Sequence, residues 1–220
     1  MTHDAGGGLR VGILTSWPRD PARGSGTASA LAGLARGLEA LGHRPVFLAP
    51  EGGGSTRLGR RIPFNLGLLF RPPGPGRFDL LGGVDLDGFL LRPTVPYVVA
   101  LKGVAADEVR HETGPAALAL RGCAFLEARN ARRADRVIVP SEYAARVACE
   151  CYGLPRDRVA VVPEPVVPPR AASPEPQPWP RPTVLSVARQ YRRKRTGVLL
   201  RAVPELAERV PGVRVRIVGE

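Results

Sequence analysis

Between residues 163 and 182, nine of twenty residues are proline. Proline has no backbone N–H and holds φ near −65°, so neither a helix interior nor a central strand can run through such a stretch. The 220-residue chain therefore divides into two parts joined by an extended linker over residues 163–182. Residues 1–162 have the size of one domain. Residues 183–220 are too few to bury both faces of a parallel sheet, so the second domain is expected to be incomplete and the chain to be C-terminally truncated.

Within each part, short runs of Val, Leu and Ile alternate with segments of helical period. Strands are expected over residues 9–16, 44–49, 78–84, 96–101, 136–140 and 158–162. A first helix carries Leu31, Leu34, Leu38 and Leu41 on one face; Ser25 or Thr27 can cap its start and Gly42 suits its end. Residues 51–77, rich in Gly, Pro and Arg, read as loops around a short apolar piece at 64–70. A helix over 116–133 is expected to turn Leu118, Leu120, Phe125 and Leu126 inward. Ser141 caps the next helix, with Glu142 near its positive dipole end, and Gly153 stops it. After the linker come a strand from Thr183, a helix over 196–209 that Pro204 must kink or divide, and a strand over 213–218. The alternation predicts an α/β fold: a Rossmann-like doubly wound parallel sheet, then the first β-α-β of an incomplete second Rossmann-like domain.

The net charge of +12 favours anionic partners such as phosphates, an anionic membrane surface or nucleic acid. Residues 183–220 hold nine Lys/Arg against three Asp/Glu, so half of the excess lies in about a sixth of the chain. Lys102 and Lys194 are the only lysines. In a chain whose positive charge is otherwise arginine, these two positions carry more information than any single Arg. Cys123, Cys149 and Cys151 lack metal-ligand spacing, and an odd count argues against a secreted disulfide framework. The N-terminus lacks a cationic start followed by an apolar core, and no window reaches the ~18 apolar residues of a spanning helix. A cytoplasmic protein is expected, with peripheral contact at the inner face of an anionic membrane admitted.

Residues 184–195 concentrate the chemistry. The apolar run Val184-Leu-Ser-Val-Ala188 discharges into Arg189, Arg192, Arg193, Lys194 and Arg195 and then into a helix. Ligands sit at the carboxyl ends of strands in open α/β sheets. Arginine forks and an ammonium point charge there suit a phosphate or diphosphate, the alternative being a solvated basic turn. Gly24-Ser-Gly26-Thr27 lies between the first strand and its helix, where N–H groups and the helix dipole can receive an anion, or where the chain simply turns. Ser29 interrupts Gly-x-Gly-x-x-Gly, which counts against a standard dinucleotide site. Lys102 follows the strand at 96–101, and Asp85 and Asp87 follow the strand at 78–84. The Asp pair can bind hydroxyls, hold a metal through oxygen, or form an Asp-rich turn.

The strand that ends in Val-Ala-Arg189, followed five residues later by Lys194, resembles the donor loop of GT-B glycosyltransferases of family 4, and the resemblance runs from about residue 9 to 220. It implies transfer of a sugar from a nucleotide-sugar donor to an acceptor hydroxyl on a glycan, lipid or small molecule. Arg189 and Lys194 would grip the donor diphosphate. The Gly24–Gly26 loop, Lys102 and Asp85 would line the cleft, Lys102 standing where many relatives carry His. The resemblance implies no cofactor and no metal. No catalytic residue is assigned, because the family's paired glutamates would lie past Glu220, and the chain alone is expected to be inactive. A nucleic-acid partner is not expected. The rivals are an Arg-rich binding module for nucleic acid or anionic lipid, disfavoured by sparse aromatics, and a nicotinamide dehydrogenase, disfavoured by Ser29.

Overall fold

The structure, a computed structural model, describes residues 7–20, 26–51, 54–55, 58–74, 76–166, 179–190 and 192–219. It forms two compact units, residues 1–167 and 168–220. Gly24, Ser25, Glu220 and most of the proline run lie outside the described residues.

The first unit is a six-stranded sheet of β1 (Arg10–Leu14), β2 (Arg44–Leu48), β3 (Leu80–Val84), β4 (Tyr97–Ala100), β5 (Arg136–Val139) and β6 (Val159–Val161). The order is β2-β1-β3-β4-β5-β6 and every pairing is parallel. Strand order reverses between β1 and β3, which with right-handed crossovers places helices on both faces. This is the expected doubly wound, Rossmann-like architecture. The helices are α1 (Gly26–Ala40), α2 (Leu58–Phe70), α3 (Ala105–Glu108), α4 (Gly114–Arg133) and α5 (Glu142–Tyr152). A core of Val11, Ile13, Leu31 and Val84 lies under α1. A larger one joins Leu14, Leu81, Tyr97, Val99 and Val137 to Leu68 of α2, Ala128 and Ala131 of α4 and Val147 of α5.

Several helix ends follow from single residues. Ser141 Oγ accepts from the Ala144 N–H at the start of α5, and left-handed Gly153 closes it. At the end of α1, His43 N–H donates to Leu38 O and Gly42 N–H to Glu39 O, with Gly42 at φ +80°. That is the paired Schellman pattern, which needs the left-handed conformation glycine adopts without strain.

Two helix faces differ from expectation. In α1 the buried residues are Ala28, Ala30, Leu31, Gly33 and Ala35, while Leu34 and Leu41 are exposed. In α4 they are Ala117, Glu127, Ala128, Asn130 and Ala131, while Leu118 and Phe125 point to solvent. Leu31 is buried and Leu38 packs against the core as expected, but alanine lets a helix approach closely, so most of the buried stripe is small residues. Residues 58–70, read as loop around an apolar piece, form α2 despite Pro63. Its propensity deficit is offset by buried side chains, Arg61 and Asn65 among them.

The second unit pairs β7 (Thr183–Val187) with β8 (Arg214–Val218) in parallel, connected through α6 (Thr196–Arg209). The helix continues through Pro204 undivided, and none of its residues is buried. Leu185, Val187 and Val218 of the sheet are likewise exposed.

Candidate functional site

In a sheet of this order, ligands collect at the carboxyl ends where strand order reverses, here between β1 and β3. The residues leaving those two strands are Thr15, Ser16 and Trp17, and Asp85, Leu86 and Asp87. They are joined by one buried polar network. Asp87, with no exposed surface, accepts from the Ser16 N–H at 2.7 Å and from Ser16 Oγ at 2.7 Å. It also accepts from Arg61 Nη2 at 2.9 Å and Asn65 Nδ2 at 3.0 Å. Arg61 Nε donates to Ser16 Oγ at 2.7 Å, and its guanidinium lies 4.6 Å over the Trp17 ring. Asn65 Oδ1 accepts from the Gly88 N–H, and Asn130 Nδ2 donates to the carbonyls of Asp85 and Asp87. The Tyr97 hydroxyl donates to Asn130 Oδ1. A Cβ at Gly83 or Gly88 would come within 2.3 or 2.1 Å of that hydroxyl, so side chains are excluded at both. Among the described residues no buried side-chain nitrogen or oxygen lacks a partner, the condition under which a buried polar network rigidifies a site.

Asp85 takes φ +54°, a left-handed conformation that a non-glycine residue adopts at a cost. Its carboxylate is spent on the protein: Oδ2 accepts from Trp17 Nε1 at 2.7 Å and Oδ1 from the Lys102 N–H at 2.8 Å. Burial pushes its pKa above the ordinary value against the attraction of Arg61. Asp85 thus stitches together the loops that follow β1, β3 and β4. Asp87 is a structural member of the network. Among the described residues no group of three His, Cys, Asp or Glu is placed to hold a metal ion.

The other sequence-derived candidates fall in two places. Gly26 opens α1, with open space where a Cβ would stand. Lys102 Nζ forms a bidentate ion pair with Glu164, at 3.0 and 3.1 Å. Arg189 and Lys194 belong to the second unit. Arg189 follows β7, and Lys194 ends the short turn Arg192–Lys194 just before α6. Both are exposed. Gln190, next to Arg189, donates to Ala188 O at 2.9 Å and accepts from Thr196 Oγ1 at 2.6 Å. Ala188 N–H donates to Val218 O, binding the ends of β7 and β8 into one edge.

The Glycosyltransferase Family 4 sequence model matches residues 24–170. The chain belongs to glycosyltransferase family 4. The match begins after β1, takes in the rest of the first unit and stops short of the basic loop at 189–195. No curated protein matches this family 4 chain. No helix among its described residues is long and apolar enough to cross a membrane.

Sequence reasoning missed four polar contributors to the family 4 scaffold: Arg61, Asn65, Asn130 and Glu127. Arg61 and Asn65 lie four apart, a signal visible only once 58–70 is read as helix. Glu127 is buried on α4 and accepts from the Ala105 N–H, at the start of α3, and from the Tyr152 hydroxyl. Burial, reinforced by the negative field of Asp85, pushes its pKa from 4.5 up to about 8. Between those values the folded chain holds a proton that the unfolded chain releases, so stability must fall as pH rises. Urea unfolding is expected to show a midpoint that declines from about pH 4.5 to about pH 8. Glu127→Gln, which keeps an acceptor, should flatten that decline, and an unchanged slope would remove Glu127 as its source.

Proposed function

We propose that this chain carries the acceptor-side domain and the first β-α-β of the donor-side domain of an enzyme that transfers a sugar from a nucleotide sugar to an acceptor hydroxyl. The observation that carries the reading is family membership over residues 24–170. The second unit supports it. A parallel strand runs into Arg189 and Lys194 and then into the N-terminus of α6, an arrangement of cations and helix dipole that suits a diphosphate. These groups would neutralise charge on the leaving nucleoside diphosphate as the sugar–phosphate bond breaks, without need of a metal ion. The chain alone is expected not to turn over, because none of the residues of α6 is buried and Leu185, Val187 and Val218 of the two-stranded sheet are exposed. The test is sugar transfer from a panel of nucleotide sugars by a chain continued through a whole donor-side domain, with Arg189 and Lys194 replaced in turn. Absence of transfer from every donor would sink the reading, and transfer that survives both replacements would remove Arg189 and Lys194 from the donor site.

Peripheral contact with anionic lipid is part of the same proposal. Leu66, Leu69 and Phe70 of α2 are exposed together with Arg60 and Arg71, a combination suited to an interfacial helix. The protein is expected to sediment with vesicles containing anionic lipid and not with neutral ones, and Phe70→Glu should reduce the sedimented fraction severalfold.

A further inference from the structure

Residues 162–165 leave β6, the edge strand, and cross the carboxyl ends of its neighbours. The Val162 N–H donates to Val139 O at the end of β5. Glu164 then grips the Lys102 ammonium beyond the end of β4. Pro165 is seated on α1, where a Cβ at Gly33 would come within 2.9 Å of its ring. Three contacts on three different elements hold this short piece of chain across the edge where the candidate site lies. Lys102 is only 16% exposed while Glu164 is 38% exposed, so the carboxylate covers the amine from the solvent side. The backbone of Lys102 is fixed from below by Asp85.

We propose that residues 162–165 form a strap that caps Lys102, and that an anionic group of the substrate competes with Glu164 for the ammonium and lifts the strap. The proposal rests on the reading of this edge as the substrate side of a glycosyltransferase. Two physical points carry it. The pair is partly solvated, and such pairs contribute little net free energy, so a dianion or diphosphate at millimolar concentration is a competent rival. The second is the close fit at Gly33: α1 accepts Pro165 only because position 33 lacks a Cβ, a seat with no purpose for helix stability, since glycine is a poor helix former. Lys102 is thereby an anion-binding residue kept neutralised until ligand arrives.

The test uses inorganic pyrophosphate at constant ionic strength on the 220-residue chain carrying Arg189→Ala and Lys194→Ala, which removes the two cations assigned to a diphosphate in the second unit. Backbone amide resonances of Gly33, Glu164 and Val166 are expected to shift together on titration, and Lys102→Met should abolish the effect. Glu164→Gln removes the rival carboxylate and should tighten pyrophosphate binding about two- to fivefold, the factor a partly exposed ion pair can contribute. Gly33→Ala leaves both charged groups in place but unseats Pro165, and should tighten binding in the same direction. The proposal is overturned if Lys102-dependent binding is absent, if neither replacement raises affinity, or if binding occurs without movement of the Gly33 and Val166 resonances. Because no sugar is transferred in these measurements, their failure is separable from a failure of the glycosyltransferase reading.

Discussion

Asp87→Ala is expected to destabilise the first unit by about 3–5 kcal/mol, the range found when one member of a buried ion pair is removed. Asp87 and its partner Arg61 have side-chain exposures of 0% and 4%. Without the carboxylate, the Arg61 guanidinium, the Ser16 N–H and the Asn65 amide lose their shared acceptor where water does not reach. A buried charge without its partner and an orphaned Ser16 N–H together take a large share of the stability of an ordinary domain, about 5–15 kcal/mol. Urea unfolding followed by far-ultraviolet circular dichroism gives the measurement. Asp87→Asn retains the shape and some hydrogen bonds and should fall between. Arg61→Met combined with Asp87→Asn should recover part of the loss, since removing both charges also removes the desolvation that each requires. A loss below about 1 kcal/mol for Asp87→Ala would mean that the network is not what holds α2 to the sheet.

The second large effect is expected at Arg189 and Lys194, in a chain continued through a complete donor-side domain. If these residues hold the donor diphosphate, they oppose charge that grows as the leaving group departs, so they act more strongly on the transition state than on the bound substrate. Arg189→Ala or Lys194→Ala should then lower kcat/KM by roughly ten- to a thousandfold, with kcat carrying a substantial share. Arg192 and Arg193, in the same exposed turn, should cost far less. Lys194→Arg should rescue only in part, because a planar fork does not reproduce a compact ammonium. Small, equal losses at all four positions, erased by moderate salt, would mark a diffuse basic surface instead.

What the sequence revealed, and what it hid, divides along physical lines. Capping residues were legible because their role is local. Ser141, Gly153 and Gly42 act within a turn of where they stand, and each does what its residue type suggests. Strand positions were legible because a parallel strand buried on both faces is a bare apolar run. The full buried face of α1 and α4 was not, although Leu31 and Leu38 point inward as expected, because alanine reads as neutral in composition yet supplies most of the contact. Leu34 and Phe125 drew attention from Ala35 and Ala128. Helix α2 was hidden by Gly59, Pro63 and Gly67, whose local cost is offset only by partners twenty or more residues away. The same distance explains the site. Asp85 was marked correctly as standing at a strand's carboxyl end, but its oxygens serve Trp17 and Lys102 across sequence separations of 68 and 17.

The bare sheet of the second unit has a consequence for behaviour in solution. A pair of parallel strands with exposed Leu185, Val187 and Val218 is a template onto which other chains can add strands. Opposite Thr183 and Leu185 in the ladder stand Arg214 and Arg216, both exposed. Placed at alternate positions of β8, these cations make each copy of the edge repel the next, as gatekeeper charges do beside unavoidable apolar strands. These two guanidinium groups therefore guard the strand they stand on, and the protection weakens wherever polyanions or concentrated salt mask them.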